Sequence, residues 1–198
     1  MKIINCEQGT PEWFDSRKGV MTASEATAIG NCGAGLKTYI HKMMAEFYSS
    51  GEKEHFSNRH TDRGNELEPI ARAIYEFEND VEVETVGFIK RDEDTGCSPD
   101  GLVGEDGGTE IKSPDDIKYL DYLLKGEKAI DSGYIWQVQM NLLITGRKWW
   151  DLIIYNPNFE KSMRVFRIYP DQEKFEALEK GFIMGRELIN EIKHKIEN

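Results

Sequence analysis

Ser98-Pro99-Asp100-Gly101 and Glu110-Ile111-Lys112, with nine residues between Asp100 and Glu110, read as a β-hairpin that carries charge. One strand ends near Asp100, the glycine-rich run from Gly104 to Gly108 turns the chain, and Thr109 to Lys112 returns. Residues i and i+2 of a strand share a face. Glu110 and Lys112 therefore point the same way, while Ile111 points into the core. Two carboxylates can hold a hard divalent cation through oxygen. A lysine beside them can orient or deprotonate an attacking water and offset charge on a phosphate. The Ile111 carbonyl is left at the site as a third protein ligand. This is the set that metal-dependent phosphodiester cleavage needs.

Glu-x-Lys alone is weak evidence in a chain that is 31% charged. A second copy, Glu191-Ile192-Lys193, lies in a charged C-terminal helical segment with no Pro-Asp at a matching distance. The bland alternative for the first copy is a solvated hairpin with incidental charges. The rest of the chain has to decide between them.

With 198 residues the chain is read as one domain, 1–198, large enough for a substantial core. Apolar residues make up 39% and mean hydropathy is −0.59, which predicts a soluble, cytoplasmic protein. No run approaches a membrane span, and Met1 to Cys6 lacks the apolar stretch of a signal peptide. Cys6, Cys32 and Cys97 show neither CxxC nor zinc spacing, so reduced thiols are expected. A net charge of −11 opposes nonspecific DNA affinity, which comes from neutralising phosphates. Local potential matters more than the total, however. Much of the acid sits in Glu76 to Glu84 and Asp92 to Asp94, a solvated outer face.

Thr10-Pro11 predicts a helix start. Thr22-Ala23-Ser24-Glu25 has capping-box spacing and predicts a helix over 23–29. The three glycines in 30–35 predict a loop. Leu36, Ile40, Met43, Met44 and Phe47 mark one face of a helix over 36–48. A polar loop is expected over 49–58. Leu67, Ile70, Ala71, Ile74 and Tyr75 mark the buried face of a helix over 61–78. Strands are expected at 81–90, 96–103, 109–112, 149–155 and 163–169, with helices at 117–125, 134–145 and 171–196. Trp149 and Trp150 open a strand, and at least one of them is expected in the core, as are Met43 and Met44. His41, His55, His60 and His194 form no ligand spacing.

Four segments fall in a distinctive order: Glu7 to Trp13 leading to Arg17 to Glu25; Gly64-Asn65-Glu66-Leu67-Glu68-Pro69-Ile70-Ala71-Arg72; the Asp100 and Glu110-Ile111-Lys112 pair; and Tyr134-Ile135-Trp136-Gln137-Val138-Gln139-Met140. Together they resemble the phage lambda exonuclease family, the YqaJ-like viral recombinases of the PD-(D/E)xK nuclease superfamily, from about residue 7 to residue 157. The resemblance implies an α/β, restriction-endonuclease-like core: a mixed β-sheet flanked by helices, with an N-terminal helical elaboration. It implies a Mg²⁺-dependent exonuclease, with Mn²⁺ as the alternative and two ions in the site. Such an enzyme digests one strand of duplex DNA from its 5′ end and leaves a 3′ single strand for recombination.

Asp100, Glu110 and the Ile111 carbonyl would hold metal, with Glu68 at the metal or one water away. Lys112 and Gln137 would serve the water. Arg17, Ser24 and Ser98 would hold the 5′ phosphate. Their bland alternatives are a surface salt bridge for Arg17, first-turn packing for Ser24 and a turn hydroxyl for Ser98. Gln139 lies about 200° round the helix from Gln137 and reads as a polar residue at the core edge. The resemblance further implies double-stranded DNA ends as substrate, a ring-shaped homotrimer and a single-strand annealing protein as partner. One departure stands out. The stretch His60-Thr61-Asp62 is polar where relatives place an apolar wedge, which leaves Phe56 as the nearest apolar candidate. The alternatives are a PD-(D/E)xK nuclease of repair or endonuclease specificity, without the four-cysteine cluster of iron–sulfur relatives, and an inactive DNA-end-binding protein.

Overall fold

The computed structural model describes residues 1–50 and 59–198, with residues 59–62 described by backbone alone. In chain order the elements are β1 (Lys2–Ile4), α1 (Pro11–Arg17), β2 (Met21–Thr22), α2 (Ala26–Asn31), α3 (Ala34–Tyr48), α4 (Arg59–Asn79), β3 (Val83–Glu84), β4 (Phe88–Lys90), β5 (Thr95–Cys97), β6 (Gly101–Val103), β7 (Gly107–Lys112), α5 (Asp116–Lys125), α6 (Ser132–Thr145), β8 (Trp149–Tyr155), β9 (Met163–Ile168) and α7 (Gln172–Glu197). The chain is an α/β protein whose strands form two mixed sheets, in the orders β1-β4-β5-β2 and β3-β6-β7-β8-β9. Parallel pairs occur at β2–β5 and β7–β8, and the remaining pairs are antiparallel.

The expected strands over 81–90 and 96–103 each divide between the two sheets. The first breaks at residues 85–87 and the second at Ser98-Pro99-Asp100. Proline has no N–H to give a ladder. At the other break the backbone of Gly87 lies so close to Cys6 that a Cβ would sit 2.2 Å from its carbonyl oxygen. Both crossings are pinned from the N-terminus. The Gln8 amide donates to the Val86 carbonyl at 3.0 Å and to the Pro99 carbonyl at 2.9 Å. The Trp13 indole N–H is shared between the Gly87 carbonyl at 3.1 Å and Ser98 Oγ at 2.9 Å.

The core has three parts. Cys97, Val138, Met140, Trp150 and Phe182 belong to the largest, among α2, α3, α6 and α7. Ala71 and Tyr75 of α4 pack on Val103, Ile111, Ile153 and Tyr155. Tyr119 and Tyr122 of α5 pack on Leu152, Ile154 and Phe166. Alternate residues of β8 thus face α4 and α5, as a sheet buried on both sides requires.

Several local expectations change. Thr22 makes no side-chain cap: its Oγ1 lies 3.1 Å from Ser24 Oγ, and a 3-10 turn over Ala23–Glu25 leads from β2 into α2. The expected loop over 30–35 shrinks to Cys32, in the left-handed region at φ 52°, and Gly33. Gly30 is buried under the Trp136 ring within α2. Phe47 and Ile70, expected in the core, are 42% and 48% exposed. Phe47 lies at the end of α3 against Gly19, and Ile70 joins Pro69, Ala73 and Phe77 on the outer side of α4. Met43, Met44 and Trp150 are buried as expected. Of the polar loop over 49–58, residues 51–58 lie outside the described residues, as does Phe56 with them. No helix among the described residues is long and apolar enough to cross a membrane.

Candidate active site

The hairpin is present, with a shifted boundary. β6 starts at Gly101, directly after Asp100, and the turn is 104–106. Gly107 and Gly108 belong to β7, where the parallel register sets them beside Trp149 and Trp150. A Cβ on Gly108 would lie 2.4 Å from the Trp150 ring, so the indoles occupy the space side chains would take. The pairing of Gly101 with Thr109, continued by one residue, sets Asp100 across from Glu110. β7 therefore runs past the end of β6, and its last three residues are Glu110, Ile111 and Lys112.

The free edge of β7 is taken by Asp100, whose Oδ2 accepts the Ile111 N–H at 2.6 Å. In a strand the N–H and C=O of one residue point to the same edge. The Ile111 carbonyl thus faces the Asp100 side while its side chain packs in the α4 core. Glu110 is 1% exposed. Its Oε1 accepts from Lys112 Nζ at 2.7 Å and from Gln137 Nε2 at 2.6 Å. Its Oε2 accepts from Asn141 Nδ2 at 3.1 Å. Asn141 was missed in the sequence. It sits one helical turn after Gln137, at the i+4 position that shares its face, and that spacing was the available clue. Gln139 points elsewhere and joins the start of α7 to the end of β9. Its amide donates to the Tyr169 carbonyl at 2.8 Å, and its oxygen accepts the Asp171 N–H at 2.9 Å.

Glu68 comes from α4 and is bonded to Arg72 one turn on; Glu66 is exposed. Burial raises the Glu68 carboxyl above its ordinary range despite Arg72, and the charge of Glu110 adds to the shift. Burial also pushes the Asp100 carboxyl well up, with Glu110 and Glu68 pushing the same way against Lys112 and the Ile111 amide. Burial would lower the Lys112 ammonium, yet Glu110 and Asp100 hold it above its usual value. Tyr134 presents its ring 5.2 Å from Lys112 Nζ. Crowded carboxylates with one lysine leave excess negative charge in a buried place, and the free donors are oxygens. That combination fits a hard divalent cation. Among the described residues no three Asp, Glu, His or Cys side chains converge as a cage. Asp100, Glu110 and the Ile111 carbonyl would share an ion with water.

The second group of expected residues meets at the sheet crossing. Arg17 Nη1 donates to Ser98 Oγ at 3.1 Å, and its guanidinium lies 4.1 Å from the Trp13 ring centroid. Burial pulls the guanidinium below its ordinary value, and Arg17 has no carboxylate partner among the described residues. The surface salt bridge is thereby set aside. Arg17 and Ser24 line one cleft of about 200 Å³ with Trp13, Thr22, Tyr39 and Lys42. Ser24 Oγ is exposed and lies 3.1 Å from Thr22 Oγ1. Asp100 follows Ser98 by two residues, so this pocket and the carboxylate site adjoin through the chain itself.

Residues 12–148 match the YqaJ-like viral recombinase domain. The crystal structure of LHK-Exo in complex with dAMP is similar over 95% of this chain and 98% of that one, with 31% identity and a TM-score of 0.84. The alkaline exonuclease LHK-Exo from Laribacter hongkongensis, solved separately, gives 30% identity over the same shares and a TM-score of 0.82. A phage-related exonuclease from Haemophilus somnus 129PT shares the fold, with 15% identity over 89% of this chain and 96% of that one and a TM-score of 0.68. Comparison with curated protein sequences finds no match.

Proposed function

Because the chain belongs to the YqaJ-like viral recombinase family and is an exonuclease of phage type, we propose that it digests one strand of duplex DNA from the 5′ end. The reaction depends on Mg²⁺, with Mn²⁺ as a substitute, and leaves a 3′ single strand for recombination. The observation that carries this reading is the Arg17–Ser98 contact two residues from Asp100. A desolvated guanidinium that bonds the Ser98 hydroxyl and has no ion-pair partner among the described residues suits an anion, although Glu25 and Glu46 also line the cleft, because charge-assisted bonds to phosphate are the strong ones. A phosphate gripped there would be terminal, and the next bond along the strand would lie at the carboxylates.

Asp100, Glu110 and the Ile111 carbonyl would hold the metal, with Glu68 assisting from α4. Two ions bound there would stabilise the attacking and leaving oxygens of an in-line displacement. Lys112, held as ammonium by Glu110, donates to the attacking water and to phosphate oxygen instead of removing a proton. Gln137 keeps Glu110 in place. The relative LHK-Exo was crystallised with dAMP, a nucleoside monophosphate such as end digestion releases. A homotrimer around the duplex and a single-strand annealing partner complete the reading.

The test compares linear duplexes bearing 5′ phosphate and 5′ hydroxyl, with a closed circle as control. Phosphorylated ends should be digested faster. Arg17→Ala should erase most of that difference by removing bonds worth about 1.5–3 kcal/mol each. Equal rates on both ends in the wild type would refute the pocket, and efficient cutting of the circle would refute the exonuclease assignment.

A further inference from the structure

We infer that Asn141 is a positioning residue that sets which oxygen of Glu110 is presented to the metal; this rests on the carboxylate site proposed above. An ionised carboxylate has about four acceptor positions. Three are taken, two on Oε1 by Lys112 and Gln137 and one on Oε2 by Asn141. The single open position is on Oε2. The terminal torsion of a glutamate is broad and nearly two-fold. Donors on Oε1 alone would leave the carboxylate free to swing about that oxygen. Asn141 closes the second side and fixes the plane.

Asn141 itself cannot swing. It is fully buried, and α6 holds it one turn from Gln137. Its Oδ1 is buried without a hydrogen-bond partner. An amide kept for packing alone would have both ends satisfied or would be replaceable by an aliphatic side chain of like size. Here only the donor end is used, and it is used on Glu110. The orphaned acceptor is a standing cost of having that donor in place.

The experiment measures Mn²⁺ binding by calorimetry and the Mg²⁺ dependence of digestion, on the wild type, Asn141→Leu, Asn141→Ala and Asn141→Ser. Partners that orient a metal ligand typically account for about 10–100-fold in metal affinity or activity. Asn141→Leu should weaken Mn²⁺ binding and raise half-saturating Mg²⁺ by about tenfold or more, while the rate at saturating Mg²⁺ falls less. Asn141→Ser, which keeps a donor, should recover part of the affinity relative to Asn141→Ala. Wild-type Mn²⁺ affinity in a folded Asn141→Leu overturns the inference. If Asn141→Leu does not fold, equal affinities in the Ala and Ser variants overturn it. A wild type that binds no Mn²⁺ overturns the carboxylate site itself, and the inference with it.

Discussion

At the residue scale, Asp100 and Lys112 have opposite stakes in the fold. The folded state raises the Asp100 carboxyl above its ordinary value. The folded protein therefore binds a proton that the unfolded chain releases, and stability falls as pH rises through that window. Asp100→Asn should abolish digestion, since a neutral amide binds Mg²⁺ poorly. In metal-free buffer at neutral pH its melting temperature should equal or exceed the wild type's, as calorimetry would reveal. A clear drop would mean that Asp100 is ionised and structurally bonded. Lys112 is held the other way, as a cation. Lys112→Ala should slow single-turnover digestion by roughly 10²–10³-fold, the usual loss when one donor to developing charge is removed. A loss of only a few-fold would assign the water to another group. Asp100, Glu110 and Lys112 were legible in the sequence because they sit in a motif with fixed spacing, and Gln137 through the family resemblance alone. Asn141 was not, since its role depends on which face of α6 meets β7, and an asparagine in a helix carries no mark of that. The Arg17–Ser98 contact spans 81 positions; only the family resemblance suggested it, and periodicity could not.

At the element scale, long, strongly periodic segments read well. α4, α6, α7 and β8 fall within a residue or two of expectation. The failures are short. β1 and β2 have three and two residues, too few to show alternation, and the first divided strand looks continuous because Val81, Val83, Val86, Phe88 and Ile89 carry β-forming residues through the break. The Thr22 capping box failed because a 3-10 turn follows Thr22 and its hydroxyl meets Ser24 Oγ in place of a helix N–H. The hairpin glycines were read as a turn although two of them lie in β7. Their function is to admit indoles, which yields a direct test. Gly108→Ala would push a Cβ into the buried Trp150 ring. Overpacking of this kind costs about 1–3 kcal/mol. Urea titration should show an unfolding free energy lower by that margin, read from a lower midpoint at an unchanged slope, and an unchanged midpoint would mean that β7 shifts freely relative to β8. Such freedom would move Glu110 as well.

At the scale of the whole molecule, acidity and nuclease chemistry coexist because charge is segregated. Glu66, Glu78, Asp92 and Glu93 lie outside, while Arg17 and Lys112 are turned inward. An acidic exterior would repel DNA flanks, which agrees with the proposed engagement at a duplex end. If three copies close around that end, light scattering at micromolar concentration should give three times the 22.8 kDa chain mass. A fully active monomer would contradict the ring. The passage of the chain from one sheet to the other has a further meaning. Ser98 and Asp100 are separated by Pro99 alone, and two links of backbone reach at most about 7 Å. Trp13 holds Ser98, Gln8 holds the Pro99 carbonyl, and the Ile111 N–H holds the Asp100 carboxylate. If Ser98 grips the strand end and Asp100 holds the metal, as proposed, the protein contains a short ruler, graduated in covalent bonds, between the grip and the point of cutting. Strand length beyond the ruler cannot influence where the cut falls. Digestion should yield mononucleotides from the first turnover, whatever the sequence, and chromatography of early products showing di- or trinucleotides would mean that the grip and the blade are not coupled in this way.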